Sequence, residues 1–191
     1  MAKEILEQLF DSPVKVKLLK LFLRNPEKSF ELKEIVERAK TDVSASRRQV
    51  AKLESIKLIT CRLKNKKKLY SINPDFDFYN ELKTLVLKSS PASKNKILKR
   101  LKILGRINLA VLSGIFVNAE NARVDIMIVG DNIKQSRLSV FMKDLEAEVG
   151  KEIDYVVLST EDFKYRYDMF DRFIKDVLEK PHEKLINRLK L

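Results

Sequence analysis

One cysteine and one histidine occur in 191 residues. A lone Cys61 excludes an internal disulfide. His182 is far from it in sequence, so no Cys/His cluster offers zinc its usual four ligands. No apolar run approaches the length of a bilayer span, which argues against a membrane partner. The opening MAKEILEQLF lacks the long apolar core and small-residue cleavage site of a secretory signal, so a cytoplasmic setting is expected. Acidic side chains are the minority, 27 against 39 Lys and Arg, and the net charge is +12. A chain so basic is drawn to nucleic acid or an anionic surface.

What is present is 45% hydrophobic, spread throughout, enough for a packed core despite 35% charged residues. The length suits one large domain or two small ones. The charge is uneven: residues 1–90 carry +8 and residues 91–191 carry +4. It is densest in Val43–Tyr70, VSASRRQVAKLESIKLITCRLKNKKKLY. Nine Lys or Arg (47, 48, 52, 57, 62, 64, 66, 67 and 68) face one acid there, Glu54.

In chain order, residues 2–10 form a short amphipathic run with Ile5, Leu6, Leu9 and Phe10. Asp11-Ser12-Pro13 supplies a helix start, a side-chain acceptor followed by proline in the first turn. Val14, Leu18, Leu21 and Phe22 then share one face. Asn25-Pro26 ends this helix. Ser29 or Glu31 opens the next, with Leu32, Ile35, Val36 and Ala39 inward. Lys40-Thr41-Asp42 is a turn. A third helix is expected from about Ser44 to Ile56, with Val50, Leu53 and Ile56 inward. The period then changes to two: Ile59, Cys61 and Leu63 alternate with polar residues. Asn65-Lys66-Lys67 is a polar turn, Leu69–Ile72 a returning strand, and Asn73-Pro74 its stop.

Three helices and a hairpin follow the order of a winged helix. Through VAKLESIKLI and LYSIN, residues 13–73 resemble the ArsR-type winged-helix regulators. Lys57 stands where that family often has glycine. The resemblance implies that the third helix enters a DNA major groove with Ser44, Ala45, Arg47 and Arg48 leading, with Lys52 on the same helix. Arg62, Lys64, Asn65, Lys66, Lys67 and Lys68 of the hairpin would lie over phosphate or a minor groove. Metal sensors of that family use clustered Cys and His. This chain has no such cluster, and Cys61 reads as a small core residue and His182 as surface.

The second half opens with an apolar helix at about 76–88, holding Phe76, Phe78, Tyr79, Leu82, Leu85, Val86 and Leu87. Ser89–Ser93 is a linker. A basic helix follows, with Lys94, Lys96, Lys99, Arg100, Lys102 and Arg106 outward and Ile97, Leu98, Leu101 and Leu104 inward. Strands are expected at Ile107–Leu112, Arg123–Val129 (ended by Gly130-Asp131) and Ile153–Leu158. Helices are expected at 135–148, from Glu161, and at Asp171–Leu178, the last closing the fold. Over about 105–180 this order resembles a minimal nucleotidyltransferase domain of the DNA polymerase β type. That family holds a triphosphate on a Gly-Ser turn and two metal ions on carboxylates at alternate positions of a strand. Gly114 matches the turn glycine, Asp125 the first carboxylate and Asp154 the third. Met127 stands where the second should be, and a thioether gives magnesium no oxygen. The resemblance therefore implies a vestigial nucleotide or metal site at Gly114, Asp125 and Asp154, with Met127→Asp restoring the carboxylate pair.

The expected architecture is α+β in two domains: a winged helix-turn-helix at 1–74, connecting helices and linker at 75–104, and a small α/β nucleotidyltransferase-like domain at 105–191. The expected function is sequence-specific regulation of transcription on double-stranded DNA. The C-terminal domain serves as a non-catalytic sensor or assembly module, with room for a nucleotide or small-molecule effector. Neither a catalytic residue nor a metal or cofactor is expected. A homodimer is, through the helix near Phe76–Leu87 and the run Ile5–Phe10. Two alternatives stand beside it: an active nucleotidyltransferase, which Met127 opposes, and an RNA-binding winged helix, which competition with duplex DNA would separate.

Overall fold

Ser12 starts the helical part of the chain as expected: its side chain accepts a hydrogen bond from Lys15 N–H at 3.2 Å, with Pro13 in the first turn. The computed structural model describes residues 5–88, 92–119 and 121–190. Residues 2–4 of the N-terminal run and Ser89–Pro91 of the expected linker lie outside them. The chain is mixed α and β, and it divides into two units: Met1–Ser89 with Glu146–Lys151, and Ser90–Leu145 with Glu152–Leu191. Among the described residues no helix is long and apolar enough to cross a membrane.

The first unit holds helices α1 (Ile5–Leu9), α2 (Pro13–Leu23), α3 (Leu32–Ala39), α4 (Val43–Ser55) and α5 (Tyr79–Lys88). Its sheet contains β1 (Phe30–Glu31), β2 (Ile59–Lys64) and β3 (Lys67–Ile72), antiparallel in the order β1-β3-β2. Leu18, Phe22, Phe30, Ile35, Leu53, Leu58 and Ile59 are central to the core. Buried Asn25 donates to Leu21 O and Gly150 O, both at 2.7 Å, which satisfies a polar side chain that burial would otherwise penalise. Strand β1 has no signature in the sequence, because two residues show no period.

The end of α4 corrects one expectation. Ile56 is 54% exposed and Leu58 is buried in its place. Lys57 takes the left-handed conformation (φ +62°), and Lys57 N–H and Leu58 N–H bond Glu54 O and Leu53 O at 2.9 and 3.0 Å. This is a Schellman stop with Leu58 folded back beside Leu53, and lysine occupies the glycine position. The apolar helix also starts later than expected. Asn73, Asp75 and Phe76 form turns that delay it to Tyr79, leaving Phe78 63% exposed. Phe76, Tyr79 and Leu82 pack on the core of their own unit, while Leu85 faces out.

The second unit holds α6 (Lys94–Leu101), β4 (Arg106–Leu112), a 3-10 turn (Gly114–Phe116), β5 (Ile126–Asp131), α7 (Gln135–Val149), β6 (Tyr155–Leu158), α8 (Thr160–Asp168), α9 (Arg172–Glu179) and β7 (Glu183–Asn187). The last turn of α7 is counted with the first unit. The sheet order is β6-β5-β4-β7; β5 and β6 are parallel and the other pairs antiparallel. Leu109, Val111, Met127, Val129, Phe163, Ile174 and Val177 share one core.

Three expectations fail here. The second strand begins at Ile126 because Val124 and Asp125 are engaged elsewhere, as described below. Gly130-Asp131 continues that strand instead of ending it; Gly130 lies so close to Arg106 O that a side chain would collide with it. The fold is closed by β7 rather than by α9, since β7 pairs with β4 along the sheet edge. Its sequence, EKLIN, carries too little alternation to read as a strand.

Candidate nucleic-acid interface

Helix α4 is capped by Asp42, whose carboxylate accepts from the Ser44 hydroxyl at 2.6 Å and Ala45 N–H at 2.9 Å. Those bonds hold the Asp42 carboxyl below its ordinary range. Ser46 and Gln49 are buried together with Val50 and Leu53. The opposite side is an exposed stripe: Ser44, Arg47, Arg48, Ala51, Lys52 and Ser55 recur at three- and four-residue intervals. Ala45 is half-buried at the edge of the stripe.

Asn65 and Lys66 form the hairpin turn, at φ +50° and +62°, and Lys64 pairs with Lys67. This is the two-residue turn whose twist matches the strands. Lys67 therefore belongs to β3 and not to the turn. Cross-strand pairs share a face, so Arg62, Lys64 and Lys67 lie on one side, with Cys61, Leu63, Lys68 and Tyr70 on the other. Residues 62–68 are all exposed. Leu63 is 73% exposed because the hairpin extends beyond the core. Cys61 is half-buried at the margin of the core rather than within it. His182 is half-buried, its Nδ1 2.8 Å from Lys180 O.

The tertiary structure sets α4 and the hairpin either side of a cleft of about 490 Å³. Four cations border it: Lys33, Arg47, Lys67 and Lys68. Lys33, from the first turn of α3, belongs to no basic cluster in the sequence. Its only signal was exposure on an otherwise amphipathic helix, and pairing of β1 with β3 is what brings it here. Two acids, Glu31 and Glu54, also border the cleft. Glu31 pairs with Lys67 at 2.7 Å.

In the second unit, Gly114, Asp125 and Asp154 do meet. Gly114 is left-handed (φ +51°), and a side chain there would fall on the Asp125 carboxylate. Both Asp125 oxygens accept backbone N–H groups, Ile115 at 2.9 Å and Asp154 at 3.0 Å. Asp125 N–H in turn donates to Asp154 O at 2.7 Å, and Ser113 Oγ donates to Val124 O. The corner is a clasp of backbone bonds around one buried carboxylate, and the Asp154 side chain points to solvent. Met127 is fully buried in the core with Leu109, Phe163 and Val177, not beside the clasp. The expectation that Met127→Asp restores a carboxylate pair is therefore corrected. Among the described residues no three His, Cys, Asp or Glu gather as a metal site requires.

At the other end of β5, Asp131 accepts from Thr160 N–H at 3.1 Å, Thr160 Oγ at 2.8 Å and Asn108 Nδ2 at 3.4 Å. The Thr160 N–H and hydroxyl bonds hold its carboxyl below the ordinary range. This cluster joins β4, β5 and α8, and no sequence motif announced it.

No protein-family model matches the sequence, and no curated protein matches it. A solved structure of Bordetella bronchiseptica BpsR, from work on regulation of its DNA binding by 6-hydroxynicotinic acid, aligns with 48% of this chain and 73% of that one at 18% identity and a TM-score of 0.33. The functional reading rests on the residues of this chain.

Proposed function

We propose that the chain is a sequence-specific, DNA-binding transcriptional regulator. Its first unit acts as a winged helix-turn-helix, with α4 the recognition helix and β2–β3 the wing. The second unit acts as a non-catalytic sensor or assembly module. The observation that carries this reading is convergence: an exposed stripe with two arginines and a hairpin with five cations flank one cleft that Lys33 completes. A major groove admits an α-helix, and arginine pairs bidentately with guanine O6 and N7. Lysines at a hairpin tip meet phosphate, which carries affinity without sequence information.

The non-catalytic reading of the second unit is supported by the commitment of both Asp125 oxygens to backbone amides and by the burial of Met127. A carboxylate so engaged has little left to offer a pair of metal ions.

Gel-shift titration on a sequence selected from a random duplex library tests the assignment. Arg47→Ala and Arg48→Ala should each cost about 1–3 kcal/mol on the selected sequence and little on random DNA. Lys33→Ala should weaken binding to all sequences and reduce the salt slope by about 1. Unchanged affinity in all three variants, or displacement by duplex RNA and not by duplex DNA, defeats the assignment.

A further inference from the structure

Glu54 is the single acid among the nine Lys and Arg of Val43–Tyr70. The structure puts its exposed side chain on the border of the cleft between α4 and the hairpin, together with Arg47, Lys67 and Lys68. The other acid there, Glu31, is paired with Lys67 at 2.7 Å. Glu54 has no such partner: among the described residues its carboxylate makes neither an ion pair nor a hydrogen bond. Its charge nevertheless reaches into the cleft. Tyr70, which also borders it, has its hydroxyl pKa raised first by burial, then by Cys61 and by the Glu54 charge.

An unpaired carboxylate is costly on a surface that receives phosphate, because like charges repel. A carboxylate only accepts hydrogen bonds. In a major groove the donors are cytosine N4 and adenine N6, while guanine O6 and N7, thymine O4 and adenine N7 are acceptors. Adenine thus sets an acceptor beside its donor, and cytosine N4 is the edge that suits a carboxylate. The position of Glu54 along the helix fits a base contact. Arg47, Ala51 and Glu54 follow one another at i, i+4 and i+7, and all three border the cleft. Seven residues at about 1.5 Å each separate Arg47 from Glu54 by about 10.5 Å, close to three base steps of about 3.4 Å. Ala51 between them carries nothing beyond its Cβ, so the helix surface between the two long side chains is low.

We propose that Glu54 is a specificity-determining residue of α4, accepting the cytosine N4 amino group about three base pairs from the guanine that Arg47 pairs with. The inference rests on the DNA-binding reading above and deepens it. The repulsion from phosphate falls on every duplex, whereas the contact with cytosine is gained on one sequence. Removing the carboxylate therefore moves the two affinities in opposite directions, which neither a solvated surface acid nor a purely repulsive one would do.

Selection of the full chain on a random duplex library, followed by gel-shift titration, tests this. The wild-type pool should hold a fixed C·G pair about three base pairs from the guanine whose preference is lost in Arg47→Ala. Glu54→Ala should bind random DNA more tightly than the wild type does and the selected sequence more weakly, with discrimination at that pair reduced about tenfold or more. Glu54→Gln keeps one acceptor oxygen and gains an amino donor, so its selected pool should move toward adenine, the base that such an amide pairs bidentately. Equal tightening of random and selected DNA by Glu54→Ala, or a preference that it leaves intact, overturns the proposal while the DNA-binding reading stands. A wild-type chain that retains no duplex DNA defeats both.

Discussion

At the scale of single residues, burial and backbone partners settle which acids and which apolar groups are free for chemistry. Asp125 and Met127 are two apart, and strand alternation alone would put them on one face. Asp125 instead precedes β5, and both its oxygens are bound to amides, while Met127 lies at 0% exposure among aliphatic and aromatic neighbours. Met127→Asp should consequently destabilise the protein by about 4 kcal/mol or more, the result of an unpaired charge in an apolar core. Circular dichroism during thermal unfolding measures this. A variant as stable as the wild type that binds magnesium-nucleotide would show the core assignment to be mistaken. Lys57 is the opposite case. A Schellman stop favours glycine there, and the structure makes the turn with lysine in the left-handed region. Lysine at C′ is tolerated because Leu58 remains packed beside Leu53 and both turn bonds form.

At the scale of elements, the hairpin's folding and its proposed binding role pull apart. Lys66 sits at φ +62° in a two-residue turn that prefers glycine at this position. Lys66→Gly should stabilise the first unit by about 0.5–1 kcal/mol, the left-handed strain removed less the extra entropy of glycine. The same change should weaken binding to every DNA sequence and lower the salt slope by about 1. Urea unfolding and salt-dependent gel shifts read the two effects separately; affinity that holds steady would remove Lys66 from the interface.

The contact of β5 with α8 has its own pH signature. Thr160 lowers the pKa of Asp131, so the folded protein binds that proton less readily than the unfolded chain, whose aspartates titrate near about 3.9. The stabilisation is complete above that value and is lost as pH falls below it toward the folded pKa. Thr160→Val removes the hydroxyl bond and should flatten the loss of urea midpoint between about pH 5 and 3. An acid limb identical to that of the wild type would mean that the hydroxyl does not act on Asp131.

At the scale of the whole molecule, the chain has two units with separate cores, and the proposed non-catalytic role of the second is tested directly. Purified protein given labelled nucleoside triphosphates with magnesium or manganese should transfer no label to itself or to a cell extract. Metal-dependent transfer by the unaltered chain would promote the nucleotidyltransferase reading instead.

The sequence by itself determined the features that are local. The Ser12 cap, the period of α2, α3 and α4, the switch to alternation at Ile59 and the concentration of positive charge between Val43 and Tyr70 all follow from neighbours within a turn or a strand. Only the tertiary structure decided which distant segments meet. It gave two-residue β1 a partner, brought Lys33 to the cleft, placed β7 on the sheet edge and joined Asn108 to Asp131 and Thr160. It also separated Asp125 from Met127, because Asp125 lies before β5 in a corner held by backbone amides, where strand alternation does not apply. Periodicity records which side of an element is apolar. What that side packs against depends on contacts between residues far apart in sequence, and no local pattern encodes them.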